Sequence, residues 1–292
     1  MNNQVNEEIK KPGKVSTVLF CIWVAIAVVL IQGAVSVVGM LPYVFNALAQ
    51  SGGDMQKYYS IMQSTDISAQ LSYIQFAAEI VGIIVLLIWY YNGYVKKDKL
   101  AGKYESVFKR FNKVPDIAFV VFGALGTLGL AGLISEVASL AFPGAAEKLT
   151  QTLGLVVGGN EIIGFITVAL LAPVCEELAM RGIILQRSKR AFAVVGCMII
   201  SAVCFGVFHM NIIQGLYVLP MGLFWGFVGY KYNSVIPCFI CHILNNALSG
   251  IILTHIHPAI VFGVCGAITV FIGIKFKLFS VDKKEEVYVE ES

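Results

Sequence analysis

The chain has 292 residues, of which 58% are hydrophobic and 13% charged, with a mean hydropathy of +0.79. A soluble globular domain carries about 25% charged residues, so the composition argues against a soluble protein and for a membrane one. The net charge of +3 is small and the basic residues sit in loops rather than on one face, which gives nucleic acid no footing as a partner.

Residues 1–16 are polar, with Lys10, Lys11 and Lys14 just ahead of the first apolar run. That run, 17–45, is too long for a signal-peptide core and lacks a clear small-residue cleavage site, so it reads as an uncleaved anchor. Further runs at 70–94, 116–142, 161–186, 191–210, 211–230, 235–254 and 258–279 bring the expected number of spans to eight. They are of the order of the ~20 residues needed to cross a hydrocarbon core, and the short alternating segments of a β-barrel are absent. The expected fold is all-α, a polytopic bundle of about eight transmembrane helices in the cell membrane.

Loop charge sets the expected orientation. Lys96, Lys97, Lys99, Lys103, Lys109, Arg110 and Lys113 lie between the second and third spans, and Arg187, Lys189 and Arg190 follow the fourth. Both loops are expected to be cytoplasmic. The loops 46–69 and 143–160 carry one lysine each, Lys57 and Lys148, and an even number of spans then puts both termini in the cytoplasm. Gly123, Gly126, Gly129 and Gly132 in the third span, and Gly222, Gly226 and Gly229 in the sixth, read as sites of close helix packing. Seven cysteines, Cys21, Cys175, Cys197, Cys204, Cys238, Cys241 and Cys265, fall in apolar segments, where free cysteine behaves as a small hydrophobe; no disulfide framework is expected. The tail 281–292 is short and charged and is expected to be disordered.

Ionisable side chains at membrane depth are costly and mark function by default. The fourth span reads Ala172-Pro173-Val174-Cys175-Glu176-Glu177-Leu178-Ala179-Met180-Arg181-Gly182. Glu177 and Arg181 stand at i and i+4 and can pair, while Glu176 points about 100° away from Glu177. This spacing leaves Glu176 to face a cavity as a base. The fifth span ends Phe205-Gly206-Val207-Phe208-His209, and the seventh carries His242 and Asn246 one helical turn apart. At ~1.5 Å per residue, Glu176, His242 and Asn246 fall roughly 12–20 Å from the cytoplasmic end of their spans and His209 about 28 Å. Each piece alone has a plain reading: an interfacial histidine, a structural clamp, an interhelical hydrogen bond. Their coincidence in one chain is the signal.

The motifs E-E-x-x-x-R at Glu176, Glu177 and Arg181, F-x-x-x-H at Phe205 and His209, and H-x-x-x-N at His242 and Asn246 resemble those of the CPBP intramembrane proteases. That family comprises the CaaX prenyl endopeptidases and the Abi-type bacteriocin-processing or immunity proteins. The resemblance covers about 161–250 and implies an intramembrane endopeptidase. In it Glu176 and His209 would activate water, His242 and Asn246 would stabilise the oxyanion, and Glu177 and Arg181 would support the carboxylate. The implied organisation is a tail 1–16, an N-terminal transmembrane region 17–160 of three spans, a catalytic core 161–254, a last transmembrane helix 255–280 and a tail 281–292. No cofactor is required by a glutamate mechanism. Zinc on Glu176, His209 and His242 is the alternative, since one carboxylate and two imidazoles can leave a catalytic metal an open position. The implied partners are the lipid bilayer and a peptide or membrane-protein substrate: a prenylated C-terminal peptide, a bacteriocin or pheromone leader peptide, or a membrane-protein segment.

Three other readings are weaker. Cys238-Phe239-Ile240-Cys241-His242 spells C-x-x-C-H, a haem attachment pattern, but inside an apolar span. Gln75, Glu79 and Glu136 are further polar residues at depth that a small transporter would use, yet the inverted repeats and paired broken helices of transporters are not evident. A non-catalytic immunity or adaptor protein would bind peptide without cutting it.

Overall fold

The computed structural model describes residues 12–64, 67–157 and 159–281. Lys10, Lys11 and most of the charged carboxy-terminal tail, 282–292, lie outside the described residues. Every regular element among the described residues is a helix. In chain order they are α1 Lys14–Ser51, α2 Met55–Ser64, α3 Ser68–Leu100, α4 Val107–Arg110, α5 Val114–Ala141, α6 Pro143–Val157, α7 Glu161–Ser188, α8 Val194–Phe208, α9 Ile212–Tyr232, α10 Ile236–His255 and α11 Pro258–Lys275.

Seven of these, α1, α3, α5, α7, α9, α10 and α11, are long and apolar enough to cross a membrane. The run expected as the fifth span, 191–210, gives a shorter helix: α8 has 15 residues, or about 22 Å at 1.5 Å per residue. Its limits have local causes. The chain leaves α7 through a turn in which Phe192 N–H reaches Ser188 O at 2.9 Å, and Ala193 is extended, so the helix cannot start before 194. At the other end Met210 adopts φ 50° and Asn211 caps α9, its Oδ1 accepting from Ile213 N at 2.9 Å and Gln214 N at 3.3 Å.

Helix α7 runs through the middle of the bundle. Cys175, Leu178, Ala179, Met180, Ile183, Ile184 and Leu185 are all buried, so this helix is covered on every side along its second half. It packs on α1 and α3 on one flank and on α8 and α10 on the other. Helices α5 and α9 pack together, and α5 in turn carries α10 and α11.

The glycine stripes set the closest of these approaches. A Cβ on Gly129 would run into the backbone of Phe262 and Pro258 on α11, and one on Gly126 would lie 3.1 Å from Gly266 N. On the hairpin α8–α9, a Cβ on Gly222 would sit 2.9 Å from Ala202 Cα. Without a hydrophobic driving force between helices in lipid, such backbone proximity is a main source of association.

Two outcomes are expected. Gly129→Ala should destabilise the bundle by about 1–3 kcal/mol in thermal unfolding in detergent, whereas Gly144→Ala, where nothing lies within 4 Å, should not. We also propose, from the loop charges, that Lys103 faces the cytoplasm and Lys148 the opposite side. Single cysteines at these two exposed positions, in a background without the partly exposed Cys204 and Cys265, should label from opposite faces; labelling of both from outside would overturn that topology.

Candidate active site

Helix α7 carries the paired glutamates, and its local geometry follows from Pro173. Asn160 caps it, Oδ1 accepting from Ile163 N at 3.0 Å. A proline inside a helix has no N–H and its ring crowds the preceding turn. Here Thr167–Leu171 widens into a π turn, and Ala172 N–H bonds Thr167 O. Val168 O therefore has lost its usual donor at 172, and the next residue, Pro173, has none to offer. The freed carbonyl accepts instead from Asn246 Nδ2 on α10 at 2.9 Å. A second π segment, Leu178–Ile184, follows the α-helical stretch Ala172–Glu177, so the glutamates stand between two widened turns of the kind often found at functional sites.

Glu177 is the electrostatic centre. Its side chain is 0% exposed, and Oε1 accepts from both Arg181 Nη1 at 2.7 Å and His242 Nδ1 at 2.9 Å. Arg181, equally buried, donates through Nη2 to Gly222 O on α9 at 3.1 Å. Its guanidinium lies 5.0 Å from the Phe205 ring and 5.6 Å from that of Trp225, a pair of cation–π contacts that suits a desolvated cation. The two aromatic rings also flank His242, with centroids 4.6 Å away for Trp225 and 5.6 Å for Phe205.

Glu176 projects on the other side of His242. Its Oε2 is buried with no hydrogen-bond partner among the described residues and lies 3.7 Å from His242 Nε2, while the side chain keeps 14% exposure. The Glu177 carboxylate at Nδ1 is an acceptor for a proton on that nitrogen, and Nε2 is the ring atom that faces Glu176. Asn246 is also fixed in orientation: Oδ1 accepts from Asn245 Nδ2 at 3.0 Å while one amide hydrogen goes to Val168 O, leaving the second hydrogen unassigned. His209 closes α8, its Nδ1 2.8 Å from Phe205 O and its ring 4.9 Å from that of Phe205. The sequence-predicted residues are thus arranged with Glu176, Glu177, Arg181 and His242 in one cluster, and with His209 joined to it through Phe205.

Among the described residues no three His, Cys, Asp or Glu side chains converge as metal ligands. Glu176, His209 and His242, the residues considered for zinc, are not drawn together into such a group, although the carboxylate on His242 Nδ1 leaves Nε2 in the state a metal ligand would have. The haem spelling is occupied by packing: Cys238 Sγ lies 3.3 Å from Trp225 O, Cys241 Sγ 3.8 Å from Val120 O, and His242 is held by Glu177. Sequence reasoning missed Trp225, the Gly222 carbonyl, Asn245 and the Glu177–His242 contact. Nothing in the spacing of two separate spans announces such contacts, though a tryptophan in a glycine-rich span was a usable hint.

Fold and site together define a polytopic helical membrane protein with an acid–base cluster in the core of its bundle. Over residues 158–248 the sequence matches the family model described as type II CAAX prenyl endopeptidase Rce1-like, the membrane-protease family that the three motifs resemble. The match takes in every motif residue from Glu176 to Asn246 and leaves the first three spans outside it. No curated protein and no solved structure matches the chain.

Replacing Arg181 by Ala would leave Glu177 buried with its cation gone, a loss of about 3–5 kcal/mol for a fully buried pair. Folded yield in detergent should fall sharply, and Arg181→Lys should recover only part of it because one ammonium cannot span both Glu177 and the Gly222 carbonyl in the guanidinium's geometry. Normal yield of Arg181→Ala would show that the pair does not carry this weight.

Proposed function

We propose that the protein is an intramembrane endopeptidase in which Glu176 activates the water that attacks a peptide carbonyl. The observation that carries this reading is Oε2 of Glu176, buried, unpartnered among the described residues and 3.7 Å from His242 Nε2, within the segment that matches the prenyl endopeptidase model. A separation of 3.7 Å is too long for a direct hydrogen bond. A water seated beside it can donate one hydrogen to Oε2 and the other to Nε2.

In the reaction so drawn, the water oxygen bonds to the carbonyl carbon as its proton passes to Glu176. Negative charge gathers on the carbonyl oxygen and meets the second amide hydrogen of Asn246, pre-set by Val168 O and Asn245. Such a fixed donor in a water-poor site strengthens as charge develops. The C–N bond then breaks as Glu176 returns the proton to the departing nitrogen, giving a free carboxyl terminus and a free amine. Glu177 and Arg181 take no proton; they hold His242 in the tautomer that keeps Nε2 an acceptor. This reading moves His242 from the oxyanion to the water side, and His209 keeps Nε2 for water or substrate.

The test uses purified protein in detergent with a fluorogenic farnesylated peptide ending in a CaaX sequence, and a leader-peptide probe in parallel. Glu176→Gln should lower kcat by at least ~10²-fold with KM little changed, and Asn246→Ala by about 10²–10³-fold. Full activity in Glu176→Gln on a cleaved probe would overturn the assignment. One equivalent of zinc, lost in both His209→Ala and His242→Ala, would replace the glutamate-driven step by a metal-driven one.

A further inference from the structure

The mechanism leaves one buried carboxyl unused. Glu79, on α3, is 2% exposed. Its Oε1 accepts from Gln75 Nε2, one turn earlier on the same helix, at 2.7 Å and from Gln32 Nε2 on α1 at 3.0 Å. Its Oε2 is buried with no hydrogen-bond partner among the described residues. An ionisable residue at this depth is costly and marks function by default.

What lies on the far side of that carboxyl is α7. The Cys175 thiol sits beside Glu79 without a well-formed hydrogen bond to it, and Cys175 immediately precedes Glu176. Gly82, close to one turn further along α3, receives the same thiol: a Cβ there would lie 2.8 Å from Cys175 Sγ. The stretch Ala172–Glu177 is bracketed by π segments, so its rotation about the helix axis is offset from that of a continuous α-helix and its side chains take their direction from this local geometry and from their neighbours. Glu177 pins one side of it to α10 through His242, and Arg181 ties the same side to α9. Cys175, seated between Glu79 and Gly82, is the contact on the other side. Any rotation that lifts Cys175 from this seat turns Glu176 through the same angle.

We propose that Glu79, held by Gln32 and Gln75 on the first two spans, is a positioning residue that sets Glu176 through Cys175, so that the active centre extends beyond the matched segment 158–248. The proposal rests on the endopeptidase reading. A displacement of about 1 Å at a reacting group can cost ~10²-fold in rate, so a visible effect on turnover is expected from a residue that never touches substrate.

The experiment measures kcat and KM per folded molecule on the peptide probe that wild type cleaves. Glu79→Ala should lower kcat at least tenfold with KM within about twofold, and Glu79→Gln, which keeps the acceptor oxygen and the shape, should stay within about threefold of wild type. Gly82→Ala, which crowds Cys175 without touching Glu79, should lower kcat as Glu79→Ala does, and serves in its place if that variant does not fold. In a Glu176→Gln background, Glu79→Ala should change the residual rate by less than twofold, because the two act through one group. Wild-type kcat in folded Glu79→Ala or Gly82→Ala would overturn the proposal, as would equal loss in Glu79→Gln and Glu79→Ala, which would make the carboxyl itself a chemical participant. Absence of cleavage by wild type would instead count against the endopeptidase reading.

Discussion

One carboxylate oxygen organises the interior of this bundle. Oε1 of Glu177 meets both the Arg181 guanidinium and the His242 imidazole at side chains essentially closed to solvent. Burying Glu177 or Arg181 alone would be prohibitive, because an isolated charge in an apolar medium costs far more than a helix contact returns, and an imidazole buried without a partner would also be penalised. The carboxylate and the guanidinium neutralise one another, His242 adds a hydrogen bond to the same oxygen, and Arg181 passes the constraint on to α9 through the Gly222 carbonyl. Three helices are thereby registered against each other at one point. Phe205 and Trp225 then fill the space around the cation and the imidazole, so packing and electrostatics specify the same arrangement.

The second constraint is backbone chemistry. Pro173 removes a donor in mid-helix, the π turn before it leaves Val168 O without an internal partner, and Asn246 takes that carbonyl. In lipid an unsatisfied carbonyl has no water to turn to, so the defect in α7 and the amide on α10 require one another. The same bond orients the amide hydrogen that the proposed mechanism uses. A helix irregularity, which costs stability on its own, thus fixes a functional group on a neighbouring helix.

Much of this was legible in the sequence, and the reasons are physical. Apolar run length reports the spans directly, because the bilayer demands internally bonded helices of a set length; at 191–210 it gave a helix in the expected place but a shorter one, trimmed by the turn at 188–193 and by the left-handed Met210. The i, i+4 relation of Glu177 and Arg181 was readable because it lies within one helix and survives the π distortion. The bond between Glu177 and His242 was not, since it joins residues 65 apart in the chain and depends on how two helices rotate. The glycine stripes announced close packing but not with whom: Gly129 faces α11, and Gly222 faces α8.

The position of α7 bears on what the matched segment can do alone. Its glutamate-bearing face is closed on one side by α8, α9 and α10, which lie within or overlap residues 158–248, and on the other by α1 and α3, which do not. Cys21 of α1 lies 3.9 Å from Ile184 O and 3.7 Å from Ser188 Oγ at the end of α7, and Gly82 of α3 admits Cys175. Stripped of those two helices, Cys175 and Ile184, both wholly buried in the bundle, would face lipid, and Glu79 would be lost with α3. The residues proposed to do chemistry are concentrated in one stretch of sequence, but the low-dielectric enclosure around that glutamate and imidazole is completed by spans elsewhere in the chain. Sequence similarity follows the first of these because it is written in particular residues. The second is met by many apolar sequences of suitable shape, so the enclosing helices can diverge in sequence while the motif-bearing helices keep their motifs.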